Sequence, residues 1–301
     1  MSSPEVPQKG PNVNLRPLIA IGAAAAALAM APAASASAST ATSAPSLHLH
    51  GFHLVTNARL PRTVLPHLAK NATVDSQNWS GYAADAKKNV ALRYVQSTFT
   101  VPTVNCSAVQ IGSAGQTYAA EWVGLDGFNN NSQTVEQTGV DSFCNSTTGA
   151  ATNQAWYEMF PLNPVVFSGV NAGDTIFVAV YFNSSTNKYE LTLKDETTGS
   201  SMQAKQPCPS GSACDRNSAE VIEEDPGGSA AGGINLADFG TVSFNTSLVT
   251  ARDGLRGTLS ASKLWTSTKI IMQDESGSTM ATPSALTNSG ANFNVTWNQG
   301  T

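Results

Sequence analysis

Short runs of alternating apolar and polar residues dominate the chain from about residue 75 onward. Six runs are rich in β-branched and aromatic residues: LRYVQSTFTV, TIFVAVYF, YELTLKD, TVSFNTSLV, TKIIMQDE and NFNVTW. Clusters of turn residues such as NSSTNK and DPGGSAAGG separate them. No amphipathic helix or internal repeat is evident, although one short helix could form around residues 236–239. The pattern predicts an all-β fold, with two antiparallel sheets packed as a sandwich or closed into a barrel.

The start of the chain has a different pattern, which predicts a signal peptide at residues 1–38. Lys9 and Arg16 precede an apolar, Ala-rich run, and Ala-x-Ala sequences follow at residues 34–38. This order is typical of a secretory signal peptide, and the apolar run is too short to span a membrane. We therefore expect a mature protein that is secreted, extracellular and without a membrane segment.

Residues 39–74 are predicted to form a propeptide. They contain three Lys or Arg residues, all four histidines and no acidic residue, whereas residues 75–301 contain 11 Lys+Arg and 20 Asp+Glu, a net charge of −9. Because opposite charges attract, we expect the segment to inhibit the acidic domain near neutral pH. Self-cleavage between about residues 60 and 77 would follow on stronger acidification, when carboxylates lose their charge. A flexible leader without function is the alternative.

The cysteines predict two disulfide bonds. There are four of them, an even number, and disulfides form in exported proteins. Cys208 and Cys214 bracket the short loop PSGSA, which favours their pairing with each other. Cys106 would then pair with Cys144.

The acidic domain, residues 75–301, contains no histidine, and this restricts its chemistry. Ser-His-Asp and Cys-His centres need an imidazole, and zinc hydrolases normally need His or free Cys ligands. A phosphate-binding loop with Lys is absent, and the acidic charge opposes nucleic-acid binding. Calcium held by carboxylates stays open, although no EF-hand spacing is present. We predict no cofactor, no metal and no nucleic-acid partner, so acid–base chemistry must use Asp or Glu.

Acids, amides and tryptophans gather in four segments: AAEWVGLDGF, TVEQTGVDSF, NQAWYEMFP and NSAEVIEED. Residues two apart in a strand share a face, which groups Gln137 with Asp141. The same rule forms two larger sets, Gln154 with Trp156 and Glu158, and Glu220 with Ile222 and Glu224. A polar outer face would explain any one set alone. Several such faces that also carry tryptophans favour a concave binding face.

The order NWSG, WVGLDG, EQTGVD, AWYEMFP and NSAEVIEED resembles that of the glutamic peptidases, or eqolisins, from Gln77 to the last strand. The resemblance implies a β-sandwich like that of the concanavalin lectins, and cleavage of proteins in acid that pepstatin does not block. It also implies a catalytic pair, Gln137 from the QTG motif and Glu224 from the A-E-hydrophobic-I-x-E motif. The residues that match those lining the family's cleft are Trp79, Trp122, Asp126, Asp141 and Glu158. We predict a monomeric endopeptidase, made as a zymogen, that acts on proteins or peptides.

Two departures from the family pattern affect these predictions. Gln154 stands where the family usually has Asp, so the pH optimum could differ. Glu223 takes a usually apolar position, and a slip of one residue in register would turn Glu223 rather than Glu224 toward the cleft. Two other classes of protein also stay open, a lectin-like carbohydrate-binding β-sandwich and a glycosidase with two opposed carboxylates. Neither explains the motif around Gln137.

Overall fold

A computed structural model of the chain describes residues 44–56, 73–107, 116–129, 131–145, 148–227 and 235–300. The predicted signal peptide, residues 1–38, and residues 57–72 lie outside these ranges, and the described residues belong to one compact unit, Thr42–Thr301. None of the described helices is long and apolar enough to cross a membrane.

The described residues form 19 strands and one 3-10 turn, η1 (Asn288–Gly290). The strands are β1 (Ser46–His50), β2 (His53–Val55), β3 (Thr73–Ser76), β4 (Trp79–Ala86), β5 (Leu92–Thr100), β6 (Gln116–Leu125), β7 (Val135–Asn145), β8 (Ala151–Phe160), β9 (Val165–Ser168), β10 (Thr175–Asn183), β11 (Lys188–Asp195), β12 (Ser201–Gln206), β13 (Ser218–Glu224), β14 (Asn235–Leu236), β15 (Thr241–Ala251), β16 (Arg256–Gly257), β17 (Trp265–Gln273), β18 (Thr279–Pro283) and β19 (Phe293–Trp297).

The strands form two sheets that are almost wholly antiparallel. Sheet A has the order β1-β12-β11-β10-β5-β15-β16. Sheet B has the order β2-β9-β8-β7-β6-β13-β4-β17 and continues through β18 and β19 to β15. The first half of β15 therefore pairs in sheet B and the second half in sheet A. Two pairs are parallel, β3 with β17 and β14 with β6.

Alternation along the strands buries apolar side chains on both faces of sheet B. The larger cluster lies between the sheets and includes Val95 and Val178 from sheet A and Val221 from sheet B. A second cluster covers the other face of sheet B, and its members include Trp79, Trp122, Trp156 and Ile222. Because Val221 and Ile222 are consecutive, β13 is buried on both sides. The predicted all-β sandwich is confirmed.

The strongest sequence patterns coincide with observed strands, while the one tentative helix does not form. The six runs named above correspond to β5, β10, β11, β15, β17 and β19. The prediction of a short helix around residues 236–239 is wrong. There the chain forms β14 beside β6, and the Ala237 N–H donates to the Tyr118 carbonyl at 2.8 Å. The open backbone groups at the edge of β6 thus favour an extended partner over a helix.

Both predicted disulfides are confirmed, and they close loops of very different length. Cys106 is bonded to Cys144 across a separation of 38 residues, and Cys208 to Cys214 across 6. In the chain-entropy account, a crosslink stabilises the fold more when the loop it closes is longer.

Removing the longer crosslink should therefore destabilise the protein more than removing the shorter one. For Cys106→Ala with Cys144→Ala we expect the free energy of unfolding to fall by about 4 kcal/mol, against about 2 kcal/mol for Cys208→Ala with Cys214→Ala. Urea unfolding of both double variants beside the unchanged protein measures the two losses. Equal losses would contradict the loop-length argument.

Residues 46–55, which we call the N-terminal strap, are built into the sandwich. β1 pairs with β12 at the edge of sheet A, and β2 pairs with β9 at the edge of sheet B. Gly51 turns the chain between them at a φ of +72°, and a Cβ there would collide with the Ser200 side chain. Phe52 is only 4% exposed and joins the inter-sheet core. The strap thus pairs with an edge strand of each sheet. Edge strands left unpaired can pair with other chains and promote aggregation.

The strap should contribute to the stability of the full chain mainly through Phe52. We expect Phe52→Ala to lower the free energy of unfolding of the full chain by about 3–5 kcal/mol, because a buried aromatic side chain is lost from the core. Leu54→Ala is the matched control, since Leu54 lies on β2 but is 51% exposed and should change stability by about 0.5 kcal/mol or less. Urea unfolding at neutral pH compares the two, and similar losses would show that Phe52 does not anchor the strap.

Candidate active site

Six of the seven predicted site residues lie on the face of sheet B that points away from the inter-sheet core, and Asp126 does not. Directly opposite residues in antiparallel strands share a face. Glu224 is opposite Trp79 on β4 and Ala120 on β6, while Gln137 is opposite Gly124 on β6 and Glu158 on β8. The register therefore turns Glu224 toward this face and Glu223 toward the core. The seven predicted residues are at most 5% exposed: Trp79, Trp122, Asp126, Gln137, Asp141, Glu158 and Glu224.

Two N–H groups hold the carboxylate of Glu224. Trp122 Nε1 donates to Oε2 at 2.7 Å, and Asn78 Nδ2 donates to Oε1 at 3.3 Å. The Ser76 hydroxyl donates to Asn78 Oδ1 at 3.1 Å and so orients the Asn78 amide. Donors aimed at a carboxylate favour its charged form. Asn78 was not among the predicted site residues, although it begins the NWSG motif; its role depends on the register between β4 and β13.

A carboxyl group orients the amide of Gln137. Gln137 Nε2 donates to Glu158 Oε2 at 2.6 Å. A primary amide has two N–H donors, so a second one remains for a bound molecule. Gln137 Oε1 is buried and accepts no hydrogen bond from the described residues. Gln137 thus offers one donor and one acceptor to a water molecule or substrate group.

The Trp122 indole lies next to both Gln137 and Glu224. A Cβ placed on Gly124 would come within 2.9 Å of its six-membered ring and 3.3 Å of Gln137 Cβ, while the indole nitrogen is bonded to Glu224. Trp79 packs edge-on against this indole, with ring centroids 5.0 Å apart. Any side chain at Gly139 would collide with Trp122 and with the Glu121 carbonyl. The glycine of the QTG motif is therefore required for the close approach of β6 to β7 at this point.

The two remaining predicted acids occupy different positions. Asp126 follows β6, and its carboxylate accepts the backbone N–H groups of Arg216 and Asn217, each at 2.8 Å. Burial raises the pKa of Asp126 to about 6, although these two bonds act in the opposite direction. Asp126 therefore fixes the chain that leads into β13. Asp141 is opposite Ala120, the residue that Glu224 also faces from the other side.

The arrangement supplies the groups that hydrolysis by an activated water requires. Glu224 offers a carboxylate base, and Gln137 offers an uncharged N–H donor on the same face of sheet B. A base for the water and a donor for the developing oxyanion are the two functions such a reaction needs. Within the described part of the chain, no group of three or more His, Cys, Asp or Glu residues could hold a metal ion.

Comparison with known proteins identifies relatives with this fold. The sequence profile of the Peptidase A4 family matches residues 77–297. No curated protein matches the chain. Aspergilloglutamic peptidase from Aspergillus niger is 30% identical over 60% of this chain and 99% of its own, with a TM-score of 0.50.

Two further solved structures are similar over more of the chain. Scytalido-glutamic peptidase with a transition state analog inhibitor is 25% identical over 73% of this chain and 98% of its own, with a TM-score of 0.57. SCP-B, a member of the eqolisin family bound to the tripeptide Ala-Ile-His, is 24% identical over the same shares, with a TM-score of 0.54. The family match spans most of the sequence, and the resemblance expected from its motifs is confirmed. The chain therefore belongs to the Peptidase A4 family and is a glutamic endopeptidase.

Proposed function

We propose that the protein is a secreted acid endopeptidase whose catalytic pair is Gln137 and Glu224. The observation that carries this proposal is the pair of oriented groups on one face of sheet B. Trp122 and Asn78 hold the Glu224 carboxylate, and Glu158 holds the Gln137 amide. Relatives that bind a peptide-based transition state analog or a tripeptide support peptides as substrates.

In the proposed reaction a water molecule lies between Gln137 and Glu224. The Glu224 carboxylate removes a proton from this water, whose oxygen attacks the scissile carbonyl carbon. The Gln137 N–H that Glu158 does not accept donates to the oxyanion that forms. Glu224 then transfers its proton to the leaving amine, and the peptide bond breaks. An amide suits the second role because it donates at any pH without carrying a charge.

The proposal includes synthesis as a secreted zymogen, with residues 1–38 as signal peptide, residues 39–74 as propeptide and residues 75–301 as catalytic domain. Two disulfides support an oxidising environment. Residues 46–55 of this propeptide follow the sheet edges as the N-terminal strap, and residues 57–72 carry Arg59, Arg62 and Lys70. Inhibition near neutral pH would come from this cationic part, and a synthetic peptide of residues 39–74 tests it on the mature enzyme.

Casein digestion at acid pH, with and without pepstatin, tests the proposed activity. We expect cleavage that pepstatin does not change, since the proposed pair contains only one ionisable acid. The same preparation is offered a polysaccharide resin and a set of glycosides. Sugar binding without proteolysis would favour the lectin-like reading, and glycoside hydrolysis would favour the two-carboxylate glycosidase.

A further inference from the structure

A buried glutamate lies directly behind each of three site residues. Successive residues of a strand point to opposite faces, so the residue before a site residue faces the inter-sheet core. The three pairs are Glu121 before Trp122, Glu136 before Gln137, and Glu223 before Glu224. All three core-facing glutamates are 0% exposed. Acidic side chains are almost never fully buried without a partner, so this layer needs an explanation.

Glu121 and Glu223 are partners of each other. They are directly opposite in the pairing of β6 with β13, so their side chains are neighbours on the core-facing side of sheet B. Their four carboxyl oxygens receive no hydrogen bond from any donor group among the described residues. Two carboxyl groups in this position bind each other only when at least one of them holds a proton.

Among the residues that the structure describes, none supplies a positive charge next to the pair. On sheet B the cross-strand neighbours are Ser80 for Glu223 and Val140 for Glu121. The strands of sheet A that pack across from them are β5, β10 and β15, whose buried residues are apolar or uncharged. These residues include Val95, Ser97, Phe99, Ile176, Val178, Val180, Ser247 and Val249. The charged groups that act on the pair are Asp141 and Glu224, both acidic and both on the site face.

Burial and the neighbouring acidic charges both raise the pKa values of the two glutamates. The pKa of Glu121 is raised well above its usual value of 4.5, mainly by burial and then by the charge of Asp141. The pKa of Glu223 is also raised, mainly by burial and then by the charge of Glu121. The pair therefore holds at least one proton in acid, where it is stable.

We propose that Glu121 and Glu223 share a proton and act as a positioning pair for Trp122 and Glu224. The inference rests on the proposed role of Glu224 as the base. The pair joins β6 to β13 from behind, one residue before the two groups that form the 2.7 Å bond from Trp122 Nε1 to Glu224 Oε2. Any change in the separation or tilt of these strands changes that bond directly. The glutamates do not touch the substrate; they act through their neighbours along the chain.

The proposal predicts the direction in which the stability of the protein changes with pH. The folded-state pKa values lie above the unfolded value near 4.5, so the stability from the pair is complete below about pH 4.5. It is lost as the pH rises through the folded-state pKa values. Two buried negative charges would then repel each other across β6 and β13 and disturb the bond between Trp122 and Glu224. Stability and activity should therefore fall together at the alkaline limit.

Conservative substitutions test the pair. Glu223→Gln and Glu121→Gln keep the shape of the protonated acid but cannot ionise. Glu196→Gln is the control, because Glu196 is exposed in the turn between β11 and β12. The melting temperature and kcat are measured from pH 4 to pH 7.5. We expect equal melting temperatures at pH 4 and, at pH 7, values for the two core variants about 4 °C or more above wild type. The pH at which kcat falls on the alkaline side should rise by about one unit in the core variants, while the control behaves like wild type.

Several outcomes would overturn the proposal. Identical alkaline limits in all four proteins would refute a shared proton. A shift in melting temperature without a shift in kcat would refute the positioning role. Failure of both core variants to fold at pH 4 would also refute it, because the amide reproduces the neutral acid and one of its hydrogen bonds. If wild type cleaves no peptide, the proposed function fails, while the melting temperatures still decide whether the pair shares a proton.

Discussion

Glu224→Gln is expected to lower kcat/KM for peptide cleavage by about 10³-fold or more throughout the acid range. The amide cannot accept a proton from the attacking water, so the proposed base is lost. The substitution keeps the size of the side chain, and Trp122 Nε1 can still donate to the amide oxygen. The variant should therefore fold normally, and the loss should appear in kcat.

The measurement is initial-rate cleavage of an internally quenched peptide at several acid pH values. Glu275→Gln is a suitable control, since Glu275 is an exposed residue of the turn between β17 and β18. We expect the control to keep the activity of wild type. Circular dichroism spectra establish that both variants are folded. Near-full activity in Glu224→Gln would show that a different group removes the proton.

Gln137→Ala is expected to lower kcat by about 10²–10³-fold, the loss typical for one donor to an oxyanion. KM should change little, because the donor acts on charge that develops only in the transition state. The substitution also takes a 2.6 Å hydrogen bond from Glu158, so some loss of stability is expected. The rate must therefore be normalised to the folded fraction of the enzyme.

Gln203→Ala is the matched control for Gln137→Ala. Gln203 has the same side chain but is exposed on β12 of sheet A. We expect its kcat and KM to equal those of wild type. A Gln137→Ala enzyme with a raised KM and an unchanged kcat would mean that Gln137 only binds substrate. The oxyanion role would then have to be assigned to another donor.

The sequence predicted those features that depend on local patterns. Alternation in TIFVAVYF and YELTLKD corresponds to β10 and β11, which form a hairpin and bury one face each. The even spacing of Gln154, Trp156 and Glu158 placed them on one face, as the register of β8 confirms. The motif order was sufficient to predict the family. Such features need only the period of a strand and the residue types on it.

Features that depend on distant pairing could not be predicted in the same way. The bond from Asn78 to Glu224 joins residues 146 positions apart, and β1 reaches β12 across a similar separation. The charge of residues 39–74 predicted only that the segment would be attracted to the acidic domain, and did not indicate that part of it forms strands. The strap forms because the edges of β12 and β9 offer unpaired backbone groups, which no local pattern records.

The buried glutamates show a different limit of prediction from the sequence. The pattern of NSAEVIEED predicted only that Glu223 points away from Glu224. An acidic residue is usually assigned to a solvated face, because burying its charge is unfavourable. Here the facing residue Glu121 makes burial acceptable as a protonated pair. That pairing depends on the order of strands in sheet B, which the sequence alone does not specify.

The double variant Gln137→Ala with Glu224→Gln tests the central claim most directly, measured beside both single variants with the same peptide at the same acid pH. If the two residues act as one unit on one water molecule, the double variant should be about as active as the weaker single variant, because residues that cooperate in one step have non-additive effects. If the two separate losses multiply, each residue contributes independently, and the proposed dyad is wrong.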